Sequence, residues 1–87
     1  MASVKIYSTG ICPLCQRAKN LFNKYQIAYD EVRVDVDRAG LKEMLERTNH
    51  ARTVPQIFID GRHVGGFNEL TELHMDGGLD ELMPRAS

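Results

Sequence analysis

The chain has 87 residues, 43% of them hydrophobic, with 11 basic and 12 acidic side chains and a formal net charge of −1. That length predicts a single domain, residues 1–87, with a thin core. The charge balance removes the electrostatic case for nucleic acid or an anionic membrane, and no apolar run nears the roughly 20 residues of a membrane span.

The stretch Met1-Ala2-Ser3-Val4-Lys5 lacks a signal-peptide pattern. Two cysteines are too few for a secreted disulfide scaffold. A soluble, cytoplasmic monomer is the expectation. Val4 to Ser8 reads as a first strand, with Val4 and Ile6 apolar. Thr9-Gly10-Ile11 is a loop, where Gly10 is expected to allow a tight turn.

Cys12-Pro13-Leu14-Cys15 follows, and a helical pattern begins at once. Pro is favoured at the first helical position, so Pro13 puts Cys12 at the cap. There the sulfur faces free backbone N–H groups and the positive end of the helix dipole. Both favour the thiolate, which is the nucleophilic form. Residues i and i+3 share a helix face. The two sulfurs can therefore join as a disulfide or wait side by side as thiols. A C-x-x-C beside a βαβ pattern reads as a redox motif. Cys12 is the expected attacking thiol and Cys15, one turn inside, the resolving one. Arg17 and Lys19 add positive charge nearby.

From Pro13 to Tyr25, Ala18, Leu21, Phe22 and Tyr25 recur on one helix face. Ala28 to Val36 reads as a second strand, with Val32, Val34 and Val36 alternating with polar residues. Asp37 caps a second helix, roughly Arg38 to Asn49, with Leu41, Met44 and Leu45 inward. Thr53-Val54-Pro55 interrupts the chain, and Gln56 to Ile59 is a short apolar strand. Asp60-Gly61 signals a hairpin turn, and Arg62 to Gly65 returns antiparallel. Gly65-Gly66 breaks the chain. Asn68 is the expected cap of a third helix that Gly77-Gly78 ends. Leu79 to Met83 reads as a short closing helix and Pro84 to Ser87 as a loose tail. The order predicts an α/β fold, a four-stranded mixed sheet with helices on both faces. The cysteine motif lies where the first strand hands over to the first helix, the edge where ligands collect in open α/β sheets.

Cys12-Pro13-Leu14-Cys15, then Thr53-Val54-Pro55, then Gly65-Gly66, in this order and spacing, resemble a glutaredoxin of the small bacterial dithiol type. The similarity runs from Val4 to about Leu82. It implies a thioredoxin-like (glutaredoxin) fold and glutathione as the electron-donating co-substrate, with no tightly bound cofactor and no metal. By resemblance, Cys12 and Cys15 are the catalytic pair. Pro55 is cis and faces them, and the Val54 backbone pairs with the glutathione cysteinyl backbone like an added strand. Thr53, Pro13 and Leu14 line the same site. Gly66 shapes the groove for the γ-glutamyl end, whose carboxylate meets the backbone amides of Phe67 and Asn68. Asn68 or Glu69 meets the ammonium group. Lys42 falls where the family often reaches the glycyl carboxylate.

Four positions depart from the commonest pattern of that family. Leu14 stands where many members have Tyr, and Thr9 where a carboxylate-binding Lys is frequent. Phe67 replaces a frequent Cys and Asn68 a frequent acidic residue. Lys42 or Arg52 can compensate for Thr9. The implied partners are glutathione and disulfide or glutathionylated proteins, with ribonucleotide reductase among the candidates. Three rival readings are weaker. A redoxin fed by thioredoxin reductase usually has an aromatic-rich later segment that this chain lacks. An iron–sulfur carrier is disfavoured by Pro13. Zinc needs four ligands, and His50, His63 and His74 are spaced too widely to complete a set with the cysteines; all three read as surface or loop residues.

Overall fold

The computed structural model describes residues 3–82. Its elements are β1 (Val4–Ser8), α1 (Pro13–Lys24), β2 (Asp30–Arg33), α2 (Arg38–Arg47), β3 (Gln56–Ile59), β4 (Arg62–Gly65) and α3 (Phe67–Met75), followed by a 3₁₀ turn at Asp80–Leu82. The strands form one sheet in the order β2-β1-β3-β4. β1 and β2 are parallel, while β3 is antiparallel to both β1 and β4. A parallel pair needs a crossover connection, and α1 supplies it.

Period-two alternation divides the core into two halves. Val4, Ile6 and Ile57 face Ala18 and Phe22 of α1 and Leu70 of α3, with Ile27 and Leu79 closing the cluster. On the other face Tyr7, Val34 and Phe58 meet Met44 of α2. Tyr7 and Phe58 pack edge to face with ring centroids 5.7 Å apart, a favoured aromatic geometry. The mixed sheet with helices on both faces is as expected.

All three helices end the same way. The N–H two residues past each cap reaches back to the carbonyl three residues before that cap: Ile27 to Phe22 at 2.8 Å, His50 to Leu45 at 2.7 Å and Gly78 to Leu73 at 2.8 Å. Such endings require a left-handed residue just beyond the cap. Asn49 (φ 56°) and Gly77 (φ 81°) suit that role, but Gln26 (φ 58°) does not. A side chain in that region costs energy that glycine avoids. We expect Gln26→Gly to raise stability by about 0.5–1 kcal/mol, read as a higher urea midpoint at unchanged slope. A lower midpoint would show that the Gln26 side chain stabilises the fold by some other contact.

Several boundaries differ from the sequence-based expectation. The second strand is shorter than Ala28 to Val36. Its last ladder bond runs from the Val34 N–H to the Ser8 carbonyl at 2.9 Å. The chain then turns, with the N–H groups of Val36 and Asp37 both donating to the Arg33 carbonyl. Val36 is consequently 76% exposed instead of buried. Leu41 also lies outward, whereas Met44 is buried. Asp37 does cap α2, its Oδ1 accepting from the Gly40 N–H at 2.9 Å. Asn68 does not cap α3; Gly66 occupies that position. Asp60 and Gly61 both have positive φ, the hairpin turn expected at that dipeptide. Met83 and the tail Pro84 to Ser87 lie outside the described residues.

Candidate active site

The fold brings three loops to one end of the sheet. The first is the β1–α1 loop with the cysteines. Cys12 is the N-cap of α1, with Pro13 at the first helical position. Cys12 Sγ accepts from the Cys15 N–H at 3.1 Å. Cys12 and Cys15 are joined as a disulfide, with Cα atoms 5.2 Å apart. Cys12 is partly open to solvent, whereas Cys15 is 1% exposed. Chemistry from outside can therefore reach Cys12 alone, and Cys15 is reachable only through its partner. Once the pair is reduced, the Cys15 N–H and the helix dipole favour a thiolate at Cys12.

The second loop carries Thr53, Val54 and Pro55. The Val54–Pro55 peptide is cis. The Val54 carbonyl oxygen lies 3.7 Å from Cys12 Sγ. The Val54 side chain packs against the α2-side core, and the residue as a whole is half-buried. Pro55 is buried. Thr53 is exposed, but both its carbonyl and its hydroxyl accept from Gln56 Nε2, at 2.9 and 3.1 Å.

The third loop is Gly65-Gly66. Gly65 has φ 121°, and a Cβ there would also lie within 3 Å of Glu69 Oε1. Only glycine fits that position. A Cβ on Gly66 would sit 3.5 Å from the Pro55 carbonyl oxygen, so this turn abuts the proline loop. Phe67 turns its ring into the α1-side core. Glu69 Oε1 accepts from the Gly66 N–H at 2.9 Å. One carboxylate oxygen of Glu69 thus caps α3. Asn68 is exposed beside it.

Pro13 and Leu14 stand exposed next to Cys12, Leu14 at 42%. Thr9 hydrogen-bonds within its own loop, its hydroxyl donating to the Ile11 carbonyl at 3.4 Å. Lys42 is exposed on α2, and among the described residues no hydrogen bond or ion pair links it to the Cys12 loop. Arg52 is likewise exposed. The three histidines differ from one another. His50 and His63 are exposed, whereas His74 is half-buried with its ring 5.0 Å from that of Tyr25.

Two supports of the cysteine loop were not evident in the sequence. Asp35 pairs with the Arg33 guanidinium through both oxygens, at 2.9 and 2.7 Å. Its Oδ2 also accepts from the Gly10 N–H at 3.0 Å, which straps the loop before Cys12 to the end of β2. Arg33 and the Gly10 N–H hold the Asp35 carboxyl well below the usual carboxylate range. Gly10 has no positive φ. Its role differs from the expected tight turn: a side chain there would collide with the Arg33 guanidinium.

The second support involves Lys19. It pairs with Glu31 at 2.9 Å, so its charge is directed to β2 and not to Cys12. Fully buried Ser8 donates to the same Glu31 oxygen. Lys19 first, and then Ser8, lower the Glu31 carboxyl below its ordinary value of 4.5. A carboxyl lowered by folding stabilises the fold above its ordinary value, and that gain is lost as pH falls through the folded value. We expect Glu31→Gln to flatten the acid limb of Tm against pH as pH falls below the ordinary carboxyl value of 4.5. An acid limb as steep as the native one would show that Glu31 does not carry this dependence.

A capping cysteine pair that faces an X–cis-Pro peptide, at one end of a mixed sheet with helices on both faces, defines a thiol–disulfide oxidoreductase of thioredoxin-like fold. Residues 4–64 match the family model described as Glutaredoxin. Glutaredoxin 3 of Escherichia coli K12 is 43% identical over 83 residues, covering 95% of this chain and 99% of that protein. A glutaredoxin of Neisseria meningitidis serogroup A is 42% identical over 84 residues, covering 95% of this chain and 98% of that one. Among solved structures, the buckwheat glutaredoxin–glutathione complex superposes with a TM-score of 0.82 at 32% identity, covering 94% of this chain and 76% of that one. The chain belongs to the glutaredoxin family.

Proposed function

We propose that this protein reduces glutathione mixed disulfides through Cys12 alone, and protein disulfides through Cys12 and Cys15 together, with glutathione as the reductant. The observation that carries this reading is Cys12 at the α1 cap, 3.7 Å from the Val54 carbonyl, with Cys15 sealed behind it. The buckwheat relative solved with glutathione supports it.

The Cys12 thiolate attacks the glutathionyl sulfur of a mixed disulfide. The Cys12–glutathione disulfide forms and the protein thiolate leaves, taking a proton from solvent. A second glutathione thiolate then attacks the glutathionyl sulfur held on Cys12. Oxidised glutathione departs and the Cys12 thiolate is restored. With a protein disulfide, Cys12 forms the mixed disulfide and Cys15 attacks Cys12 Sγ. The substrate leaves as a dithiol and the Cys12–Cys15 disulfide closes. Two glutathiones then reopen it. Every step is thiol–disulfide exchange.

In this reading the Val54 N–H and C=O hold the glutathione cysteinyl backbone. Gly66 leaves the groove open for the γ-glutamyl end, and the Phe67 and Asn68 amides take its carboxylate at the α3 N-terminus. The free Glu69 oxygen and Asn68 meet the ammonium. Thr53 with Pro13 and Leu14 flanks the sulfur. Lys42 and Thr9 are assigned to the glycyl end, where the Thr9 hydroxyl, once released from the Ile11 carbonyl, stands in place of a cation. Glutathionylated proteins and disulfide enzymes such as ribonucleotide reductase are the candidate partners, for a monomer acting in the cytoplasm.

The test is turnover of a small glutathione mixed disulfide by the native chain with glutathione, followed as NADPH consumption through glutathione reductase. Turnover well above the uncatalysed rate is expected. A native chain inactive with glutathione but active with a dithiol reductant would overturn the glutathione reading and leave the oxidoreductase.

A further inference from the structure

On the face away from the cysteines' helix, β3 and β4 present a hydrogen-bonded chain of side chains. Period two puts Gln56 and Phe58 on one face of β3. The antiparallel register sets His63 opposite Phe58. The two rings stack at 4.9 Å with planes 25° apart. His63 also reaches diagonally to Gln56, a distance side chains span across paired strands. His63 Nε2 and Gln56 Oε1 are 2.6 Å apart.

The donors in this chain are fixed by elimination. The Thr53 carbonyl can only accept, so the Gln56 atom 2.9 Å from it is the amide nitrogen. Gln56 Oε1 is then an acceptor, and His63 Nε2 must carry the proton shared with it. A neutral ring protonated at Nε2 satisfies this, and so does imidazolium. Gln56 is 5% exposed. A buried amide that lost its partner would be costly, so the bond from His63 constrains the Gln56 rotamer.

That rotamer controls a peptide plane. The Thr53 C=O and the Val54 N–H belong to one peptide unit, and in a trans peptide they point in opposite directions. Gln56 Nε2 holds the carbonyl inward. The Val54 N–H is thereby turned outward, on the residue whose own carbonyl lies 3.7 Å from Cys12 Sγ. We propose that His63 is a positioning residue: by orienting Gln56 it fixes the Thr53–Val54 peptide plane that presents the Val54 N–H to a thiol substrate. The inference rests on the reading of Val54 as the backbone partner of glutathione.

His63→Phe keeps a ring against Phe58 and removes the donor. His63→Gln keeps a donor and removes the ring. We expect His63→Phe to raise the KM for glutathione roughly 3- to 10-fold, the worth of one hydrogen bond, with kcat at saturation unchanged. His63→Gln should return KM to near the native value. The pH profile of Cys12 alkylation by iodoacetamide should be the same in all three proteins, because the Cys12 cap is untouched. A KM for His63→Phe within twofold of native overturns the proposal. So does a His63→Gln KM as high as that of His63→Phe, because the ring and not the donor would then matter.

A second measurement needs no glutathione. The ¹⁵N order parameter of the Val54 amide should fall in His63→Phe and recover in His63→Gln. If the native chain does not turn over with glutathione, the functional reading fails, and this measurement still decides the positioning role. An unchanged Val54 order parameter in His63→Phe contradicts it.

Discussion

Cys12→Ser is expected to bring glutathione-driven reduction of a mixed disulfide down to the uncatalysed rate, whereas Cys15→Ser should retain it. The asymmetry follows from position. Cys12 caps α1 and is partly open, while Cys15 is buried one turn inside. A serine hydroxyl does not ionise under conditions where a capped thiol does, and the remaining thiol, Cys15, is 1% exposed, so no accessible nucleophile remains. Without Cys15 the proposed glutathione route should lose nothing, because in that reading the second glutathione attacks the adduct from outside. Protein disulfides should separate the two roles. There Cys15→Ser should stall after one exchange, leaving the substrate joined to Cys12. The coupled assay and a gel of the trapped adduct read both outcomes. Activity retained by Cys12→Ser but lost in Cys15→Ser would exchange the assignments.

Phe22→Ala should cost about 3–5 kcal/mol of stability. Phe22 is fully buried in the cluster that joins α1, α3 and the sheet. Its ring lies 5.5 Å from that of Tyr29. Its carbonyl also receives the Ile27 N–H that ends α1, so a cavity there would loosen both packing and the helix end. Domains of this kind are stable by only about 5–15 kcal/mol, and each kcal/mol shifts Tm by roughly 4–8 °C at this size. A fall of roughly 12–40 °C is therefore expected. Met75→Ala, at a residue 79% exposed on α3, should stay within about 0.5 kcal/mol of native. Urea unfolding of both variants checks the contrast. Equal effects would mean that the core does not centre on Phe22.

Much of this molecule was legible from residue patterns because its strongest signals are local. Pro13 after Cys12 marks a helix start. Asp60-Gly61 marks a hairpin. Alternation in β1 and the helical spacing of Ala18 and Phe22 mark buried faces. The misreadings arose where a distant partner overrode a local pattern. Val34 and Val36 continue the alternation, yet the chain leaves the sheet after Val34, and Asp35 instead reaches Gly10 and Arg33. Asn68 is a good cap by type, but the helix starts two residues earlier because Glu69 can reach back to the Gly66 N–H. Gln26 carries no turn signal and still takes a left-handed φ, since the Ile27-to-Phe22 bond and the burial of both side chains hold it there. The pairings of Lys19 with Glu31 and of His63 with Gln56 depend on strand register, which no single segment encodes.

The most direct test of the central claim is to find where glutathione lands. Reduced Cys15→Ser protein is mixed with oxidised glutathione, digested without reductant, and the peptides are weighed by mass spectrometry. One glutathionyl group on the peptide containing Cys12, removed again by added glutathione, is the expected result. The native chain under the same conditions should instead close the Cys12–Cys15 disulfide. Failure of Cys15→Ser to form the adduct, while its Cys12 still reacts with iodoacetamide, would show a reactive thiol without a glutathione site and would contradict the proposed function.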